Sequence, residues 1–450
     1  MAANEQQVIG QFVHPDRAEL EAYWMPFTSN RQFKENPRLI AAADGCYYIT
    51  TDGRRVLDGL SGLWCCGAGH NRPEIADAVA RQLRTLDYSP AFQFGHPLAF
   101  ELANKIKSLT PPGLDYVFYT NSGSEAADTS LKIARAYWRQ KGVASKTRLI
   151  GRAKGYHGVN FGGISVGGIG PNRKLFGDGV AADHLRHTLL PENVFSRGMP
   201  EKGAELADEL EELVALHDAS NIAAVIVEPF AGSAGVLPPP KGYLERLRAI
   251  CDKHQILLIF DEVITGFGRA GARTGAEAFG VTPDIMNFAK QLTNGAVPMG
   301  AVVVKHEIYQ TFMATGGPQY MLEFPHGYTY SGHPIACAAG IASLDLLLRD
   351  KLIERVRMLA PYFEAGIHAL KGRRHIIDIR NYGLAGALTL ASHPGEPARR
   401  PFEVAMRCWE RGVYVRYGGD TLQFGPPFVI EKSDLDRLFS VVADALDAQP

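Results

Sequence analysis

The sequence predicts an α/β protein with a mostly parallel central sheet flanked by helices, together with a smaller α+β domain. Two apolar runs, at residues 222–227 and 256–260, lack polar alternation, and a helical pattern at residues 242–254 lies between them. Strand, helix and strand at this spacing form a parallel βαβ unit, which is normally right-handed. Unbroken apolar strands are expected where helices cover both faces of a sheet.

The composition is that of an ordinary globular protein. With 450 residues and 46% hydrophobic residues, the chain can bury a sizeable core in two or three domains, or in one large domain with a satellite. Its formal net charge is −1, and lysines and arginines are spread along the chain. This distribution gives no indication of nucleic acid or an acidic membrane surface as a partner.

Neither targeting signals nor metal motifs are expected. No run approaches eighteen consecutive apolar residues, which argues against a transmembrane helix, and the first residues lack the basic start and apolar stretch of a signal peptide. The six cysteines show no Cys-x-x-Cys spacing and the fourteen histidines are scattered, so no disulfide scaffold and no metal site are expected. Reduced thiols favour a cytoplasmic protein.

The first half of the chain begins with a polar arm at residues 1–20. Residues 38–58 alternate between apolar and polar around Asp52-Gly53, which predicts a hairpin. A helix is expected next, with Asn71 as N-cap and Pro73 in its first turn. Its apolar residues fall at helical spacing: Ile75, Val79, Leu83 and Leu86. An apolar strand at residues 116–119 and helices over 124–138 and 201–217 precede the βαβ unit.

The last hundred residues change in character, and we place a boundary near residues 330–340. The pattern there predicts helices at 337–349 and 352–370, strands near 376–391 and 413–416, and a final helix with Ser433 as N-cap. This favours a smaller α+β domain that the N-terminal residues complete. The predicted segments are 1–60 (N-terminal part of the small domain), 61–335 (large domain) and 336–450 (C-terminal small domain).

Lys290 and Asp261 are the residues most informative about function. Lys290 follows Phe-Ala in an apolar segment, and Asp261 directly follows the apolar run at 256–260. Pyridoxal 5′-phosphate (PLP) requires a lysine that forms a Schiff base with its aldehyde and a carboxylate that pairs with its pyridinium nitrogen. Taken alone, the two residues also fit a lysine that reaches solvent past apolar neighbours and an aspartate in a turn.

Two glycine-containing segments carry polar residues suited to a ligand. Residues 120–125 lead from a strand into a helix, where free backbone N–H groups form an anion site. Gly123 permits close approach there, and Ser122 and Ser124 offer hydroxyls; the alternative is a simple N-cap. Tyr156, followed by His157 between glycines, could stack on a flat ring or belong to a buried turn.

Charged residues also follow the predicted strands. Glu228 ends the run at 222–227 as Asp261 ends the next one, and ligands of open α/β sheets bind beyond the carboxyl ends of strands. Polar residues follow many strands without such a role. Arg416 follows an apolar run, where it is suited to bind a carboxylate with two hydrogen bonds or to lie on the surface of an edge strand.

Residues 266–271 match the Gly-x-Gly-x-x-Gly fingerprint of dinucleotide sites, but we reject this match. Five residues separate it from the strand, and Gly275, Gly280 and Pro283 interrupt the helix that should follow. An NAD-dependent dehydrogenase would depend on this match and would require nicotinamide.

Together these motifs resemble the class III PLP-dependent aminotransferases, from about Trp24 to the C-terminus. The most specific parts are the Lys290 segment, Glu228-Pro229, Phe-Asp-Glu-Val-Ile-Thr-Gly-Phe-Gly-Arg at 260–269, and Phe-Pro-His-Gly-Tyr-Thr-Tyr-Ser-Gly-His-Pro at 324–334. Within this family, residues 60–70, 87–97 and 416–426 are similar to the ω-amino acid:pyruvate (β-alanine:pyruvate) aminotransferase subgroup.

The resemblance implies fold type I and roles for the matching residues. Lys290 would form the Schiff base with PLP, and Asp261 would pair with its ring nitrogen. The other implied cofactor contacts are a phosphate site (Ser122, Gly123, Ser124, and Thr329 from the partner subunit), two ring faces (Tyr156 and Val263) and pocket support (Glu228). The implied substrate contacts are Trp64, Tyr156, Arg416 and Gln423, and no metal is implied.

The implied function is transfer of an amino group from an ω-amino acid of the β-alanine type, or from a primary amine, to pyruvate. The products would be alanine and a semialdehyde or ketone. The family also implies a homodimer with the active site at its interface, with a homotetramer as the alternative. A PLP-dependent decarboxylase or aminomutase would share Asp261 and Lys290, although the Trp64 and Arg416 segments argue against both. A catalytically inactive binding protein would not need this intact pair.

Overall fold

The computed structural model describes residues 16–177 and 179–449. Most of the polar arm expected at residues 1–20 lies outside the described residues. The strands are, in chain order, β1 (Ile40–Asp44), β2 (Tyr47–Thr50), β3 (Arg55–Asp58), β4 (Leu114–Thr120), β5 (Arg148–Arg152), β6 (Ala182–Leu185), β7 (Ile222–Val227), β8 (Leu257–Asp261), β9 (Ile285–Phe288), β10 (Gly300–Lys305), β11 (Ile376–Tyr382), β12 (Ala385–Leu390), β13 (Val413–Tyr414), β14 (Arg416–Gly418) and β15 (Thr421–Phe424).

The helices are α1 (Arg17–Glu21), α2 (Asn30–Glu35), α3 (Ser61–Trp64), α4 (Pro73–Thr85), α5 (Pro97–Leu109), α6 (Gly123–Gln140), α7 (Phe161–Val166), α8 (Pro171–Lys174), α9 (Glu209–His217), α10 (Tyr243–Lys253), α11 (Gly275–Phe279), α12 (His306–Thr315), α13 (Pro334–Arg349), α14 (Leu352–His368), α15 (Arg399–Glu410) and α16 (Lys432–Asp447). Short 3-10 turns occur at Pro191–Asn193, Ala204–Asp208, Ala219–Asn221 and Lys290–Thr293. None of the helices in the described parts of the chain has the length and apolarity needed to traverse a bilayer.

The central sheet has seven strands in the order β4-β10-β9-β8-β7-β5-β6. Strand β10 runs antiparallel to both of its neighbours, whereas neighbouring strands from β9 to β6 are parallel. Helix α10 connects the parallel neighbours β7 and β8. The predicted mostly parallel sheet and its βαβ unit are therefore confirmed.

Both faces of this sheet are covered, as the apolar runs indicated. Every residue of β7 is buried. Val225 and Val227 join the core on one face with Leu247 of α10, and Ile226 joins the core on the other face with Leu131 of α6. Because neither face meets water, both sets of side chains are apolar and alternation is absent.

Two four-stranded sheets complete the fold, β1-β2-β3-β13 and β11-β12-β15-β14. Strands β2 and β3 are antiparallel and flank Asp52-Gly53, which confirms the predicted hairpin. Strand β3 also pairs in parallel with β13, where Leu57 lies opposite Val413. The N-terminal strands are thus joined to the C-terminal part of the chain, while the domain limits at residues 60 and 335 stay a prediction.

Both predicted N-caps are wrong. Helix α4 has Arg72 at its N-cap, because Asn71 adopts a left-handed φ of 53° whereas an N-cap residue is extended. Pro73 favours the extended conformation of the residue before it. Helix α16 has Glu431 at its N-cap in place of Ser433, so the helix begins two residues earlier than expected.

The helix expected over residues 201–217 is shorter in the structure. Gly203 has a left-handed φ of 117°, which ends any right-handed helix at that point, and a 3-10 turn at Ala204–Asp208 leads into α9. The helical spacing on α4 predicts that Leu83 faces the core, but its side chain is 53% exposed.

The rejected dinucleotide motif lies in a stretch of turns. Residues 262–274, between β8 and α11, form neither strand nor helix. Phe267 and Gly268 have φ values of 62° and 115°. This backbone lacks the strand, tight turn and helix that place a pyrophosphate at a helix N-terminus, which agrees with the rejection.

Candidate active site

A cavity of about 120 Å³ lies beyond the carboxyl ends of β7 and β8. Open α/β sheets bind their ligands at this position. Residues from five segments line it: Gly123, Ser124, Tyr156, His157, Gly158, Glu228, Asp261, Val263, Ile264, Ala289 and Lys290. The structure thus gathers the predicted lysine, the predicted acid and the predicted anion-binding turn around one space.

Asp261 is the last residue of β8 and is buried. Its Oδ2 lies 2.8 Å from Nδ1 of His157, and its Oδ1 accepts a hydrogen bond from the backbone N–H of Val263 at 3.2 Å. A carboxylate only accepts, so His157 donates from Nδ1. Its other ring nitrogen, Nε2, is buried without a partner among the described residues. The two hydrogen bonds fix the direction in which the Asp261 carboxylate faces the cavity.

Glu228 follows β7 and is also buried. Its Oε1 accepts a hydrogen bond from the backbone N–H of Tyr156 at 3.0 Å, and its Oε2 accepts one from Gly232 at 3.0 Å. Burial raises the pKa of this carboxyl. Glu228 therefore fixes the backbone of Tyr156 at the cavity, which gives a physical basis to the pocket support expected of it.

The N-terminus of α6 opens toward the cavity. Ser122 is the N-cap, and its hydroxyl oxygen accepts a hydrogen bond from a backbone N–H of the first turn at 3.1 Å; Ser122 itself does not line the cavity. Ser124 Oγ accepts a hydrogen bond from the backbone N–H of Val159 at 3.1 Å. A β-carbon at Gly158 would overlap Ser124, so a glycine is needed for this close approach. The first turn of α6 thus has the helix dipole and backbone donors of an anion site.

Lys290 lies at the start of a 3-10 turn after β9, with a left-handed φ of 48°. Such a conformation is costly for a residue other than glycine and recurs at functional sites. Burial lowers the pKa of the Lys290 ammonium, although the charge of Asp261 is among those that oppose this effect. A lowered pKa increases the fraction of neutral amine, the form that acts as nucleophile and base.

Arg416 and Gln423 are direct partners on the adjacent strands β14 and β15. Neither lines the cavity, but the charge of Arg416 reaches Tyr156: burial raises the pKa of that phenol, and Arg416 lowers it. Gln423 is 1% exposed and donates from Nε2 to the carbonyl oxygen of Ser233 at 2.9 Å. The structure therefore brings these two predicted substrate residues together near the cavity.

Trp64 and Thr329 are not among the residues that line the cavity. Trp64 is 4% exposed, with its ring against Gly425 and 5.6 Å from the Arg269 guanidinium. Thr329 is exposed, and its carbonyl oxygen accepts a hydrogen bond from the Tyr88 hydroxyl at 3.0 Å. Their roles toward the substrate and toward a partner subunit's cofactor stay predictions.

His157 lines the cavity, but no sequence pattern predicted a role for it. The available signal was an imidazole between two glycines, beside a tyrosine expected to stack on a ring. Its partner Asp261 lies more than a hundred residues later, so only the folded arrangement of β8 and the turn after β5 reveals the pair.

The residues present fit PLP. Lys290 supplies an amine, Asp261 a buried and oriented carboxylate, and the N-terminus of α6 an anion site. Tyr156 and Val263 supply the less polar walls between these groups. Within residues 16–177 and 179–449, no group of three or more His, Cys, Asp or Glu side chains is arranged to hold a metal ion.

Known proteins resemble this chain in both sequence and fold. Residues 28–446 match the family described as aminotransferase class-III. The chain is 63% identical to a beta-alanine–pyruvate aminotransferase of Pseudomonas aeruginosa over 429 residues, or 95% of this chain and 96% of that protein. It is 61% identical to an omega-amino acid–pyruvate aminotransferase of Pseudomonas putida over 431 residues, with 95% and 96% covered. An amine transaminase from an uncultivated Pseudomonas species, solved in its PLP-bound form, matches with a TM-score of 0.88 and 35% identity, covering 95% of this chain and 98% of that chain.

Proposed function

Because this chain belongs to the class III aminotransferases, we propose that it moves the amino group of an ω-amino acid or a primary amine to pyruvate, with PLP as its cofactor. The products are alanine and a semialdehyde or ketone. Relatives at 63% and 61% identity, named for β-alanine or an ω-amino acid and for pyruvate, support this choice of substrates. The observation that carries the proposal is the convergence of Lys290, Asp261 and the N-terminus of α6 on one cavity.

When bound, PLP supplies an aldehyde for exchange with amines and an electron-withdrawing ring. The chain supplies the groups that hold it and act on the substrate. Asp261, oriented by His157, offers its carboxylate to the ring nitrogen in a buried place, where charges interact more strongly than in water. Ser124 and the first turn of α6 bind the phosphate through donors and the helix dipole.

Lys290 has the role of moving the proton. Its Nζ, when free, accepts the proton that leaves the amino-bearing carbon of the donor and would pass it to the cofactor, and the reverse transfer would supply the proton of the new C–H bond of alanine. Burial lowers the pKa of Lys290, so the neutral amine is more abundant than on an exposed lysine. Lys290→Ala should still bind PLP but lose turnover by about 10²–10⁴-fold or more. Turnover close to that of the wild type would remove Lys290 from this role.

Arg416 has the role of binding the keto acid. One pocket must accept pyruvate, which carries a carboxylate, and an amine donor that need not carry one. The guanidinium suits the carboxylate through two charge-assisted hydrogen bonds, while Trp64 is proposed to pack against the uncharged part of the donor. Arg416→Ala should therefore slow the pyruvate half-reaction far more than the half-reaction of an amine without a carboxylate. Equal losses in both would contradict this role.

The decisive test is a visible absorption spectrum of the purified protein, recorded before and after addition of β-alanine without an acceptor. The expected result is a yellow band that bleaches with β-alanine and returns with pyruvate. A yellow band that does not bleach would keep PLP and reject this donor. A protein that stays colourless after PLP is supplied would overturn the proposal.

A homodimer or homotetramer is proposed as the active assembly. Phe92, Phe94 and Tyr330 are 56%, 69% and 58% exposed, and Phe92 packs against Gly327 close in sequence to Thr329. Exposed aromatic groups of this kind are typical of surfaces that a partner covers. Sedimentation should give a dimer or tetramer for the wild type, and Phe94→Asp should shift it toward the monomer. A wild type that sediments as a monomer would reject the assembly.

A further inference from the structure

A row of side chains crosses the sheet β11-β12-β15-β14. Arg380 lies opposite Ala387, Ala387 opposite Gln423, and Gln423 opposite Arg416. Residues directly opposite each other on antiparallel strands point to the same face, with their β-carbons about 4.5–5.5 Å apart. Arg416 and Gln423 are therefore side-chain neighbours on one face of this sheet.

Two members of the row hold the segment that follows β7 and Glu228. Arg380 donates from Nε and Nη2 to the carbonyl oxygen of Gly235 at 3.0 and 2.9 Å. Gln423 donates from Nε2 to the carbonyl oxygen of Ser233 at 2.9 Å. The Gln423 amide is thus fixed in orientation, with its nitrogen toward Ser233 and its oxygen directed elsewhere.

The amide oxygen of Gln423 is the side-chain acceptor of this row that lacks a hydrogen-bond partner in the described parts of the chain. Gln423 is 1% exposed, and its Oε1 is buried without a hydrogen-bond donor among the described residues. An unsatisfied buried acceptor loses its hydrogen bonds to water without replacement, and such atoms in native structures call for an explanation. Ala387, its neighbour on one side, has no side-chain donor, and its neighbour on the other side is an arginine.

Arg416 is the neighbour on that other side. Its guanidinium has no hydrogen bond or ion pair among the described residues, and guanidinium nitrogens are obligate donors. Its charge also acts on both Tyr156 and Lys290, which line the cavity, so the guanidinium lies close to the cavity. A long side chain in that position can reach either a carboxylate in the cavity or the amide oxygen beside it.

We propose that Gln423 Oε1 is the acceptor to which Arg416 turns when the bound substrate carries no carboxylate, and that it thereby sets the balance between substrates with and without a carboxylate. With a keto acid bound, the guanidinium pairs with the carboxylate, because a charge-assisted hydrogen bond is roughly twice as strong as one to a neutral amide. With an amine bound that lacks a carboxylate, the guanidinium turns to Gln423. Gln423 Oε1 then gains a donor, and the Arg416 guanidinium gains an acceptor. This inference rests on the proposed function, which requires both kinds of substrate in one pocket.

The test uses two substitutions of Gln423 with opposite expected effects. Gln423→Glu places a carboxylate where the amide oxygen is, so Arg416 should stay on it, and the KM for pyruvate should rise about 10–100-fold. Gln423→Met keeps the length but removes the acceptor, so the unpaired guanidinium should remain in the pocket and weaken the binding of an amine without a carboxylate. The measured quantity is the ratio of the two half-reaction rates, each followed by the bleaching and return of the visible band.

The rate of the amine half-reaction divided by the rate of the pyruvate half-reaction is expected to rise at least tenfold in Gln423→Glu. The same ratio is expected to fall at least tenfold in Gln423→Met. A merely structural role, such as the hydrogen bond to Ser233, would slow both half-reactions alike in both variants, and that result would overturn the inference. In an Arg416→Ala background neither substitution should change the ratio by more than about twofold, since a double mutant isolates the pairwise effect. A persistent change there would also overturn it.

The outcome separates this inference from the proposed function. If the wild-type band bleaches with an amine and does not return with pyruvate, the choice of acceptor in the proposed function fails. If the wild type responds to both and the two variants keep its ratio, only the role of Gln423 fails. Cofactor retention and circular dichroism of each variant show whether it is folded, and a variant that does not fold leaves the opposite substitution to decide.

Discussion

Glu262 is a buried acid whose ionisation should reduce stability. Its two carboxyl oxygens accept hydrogen bonds from the backbone N–H groups of Gly275 and Ala276 at 2.6 and 2.7 Å, and the Thr265 hydroxyl donates to it as well. Burial nevertheless raises the pKa of Glu262 from its ordinary value of 4.5 to about 7. In the unfolded chain this acid ionises near its ordinary pKa, so the free energy of the unfolded state falls relative to that of the folded state as the pH rises.

The size of the effect follows from the two pKa values of Glu262. A group with a raised pKa contributes its full stability below the unfolded value of 4.5 and has lost it once the pH passes about 7. At about 1.4 kcal/mol for each pKa unit, the total loss is ~3.4 kcal/mol. Most of it, ~2.5 kcal/mol, falls between about pH 5 and pH 8.

Comparison with Glu262→Gln isolates this titration. The free energy of unfolding in urea would be measured for both apoproteins at several pH values between about pH 5 and pH 8. At each pH, the value for the variant is subtracted from the value for the wild type. The difference should fall by ~2.5 kcal/mol across this range. Glu277→Gln, an exposed position on α11, is the matched control, and its difference should stay within about 0.5 kcal/mol. A Glu262 difference that is constant, or that grows with pH, would refute the reasoning.

Two further substitutions test packing and hydrogen bonding at the site. Gly425→Ala should lower the free energy of unfolding by about 1–3 kcal/mol, because a β-carbon there would overlap the buried Trp64 ring. Gly418→Ala, whose nearest neighbouring atom is 3.7 Å away, is the control and should leave the melting temperature nearly unchanged; similar losses in both would contradict the packing argument. His157→Phe removes the donor to Asp261 and should destabilise the apoprotein by about 1.5–3 kcal/mol. His157→Asn, which keeps an N–H donor, should lose less stability than His157→Phe. If His157→Asn were the less stable variant, the hydrogen bond to Asp261 would not be the cause of the destabilisation.

The elements that could be predicted are those whose cause is local in the sequence. Strand β7 was predicted from residue 222 to residue 227 because burial on both faces leaves an unbroken apolar run. The N-cap at α4 was missed because capping depends on backbone conformation as well as residue type. Asn71 has the right side chain for a cap, but its left-handed φ moves the helix start to Pro73.

The same distinction holds for the site. That Lys290 and Asp261 lie at one site could be predicted, since the chemistry of PLP restricts which residue types can serve it, and both residues line the same cavity. The contact between His157 and Asp261 could not, because it joins segments more than a hundred residues apart. The position of Arg416 opposite Gln423 depends on the register of β14 and β15. A shift of this register by one residue would turn the two side chains to opposite faces of the sheet.

The parallel pairing of β3 with β13 imposes a waiting time on the nascent chain. Leu57 leaves the ribosome more than 350 residues before its partner Val413, which is ~20–70 s at about 5–20 residues per second. The central sheet, which spans residues 114–305, can assemble during that interval, while the edge of β3 has no strand to pair with. Unpaired edges recruit strands of other chains, so crowding of ribosomes on one message should favour aggregation through this edge. Protection of the β3 edge until β13 has been made should therefore raise the yield of folded protein.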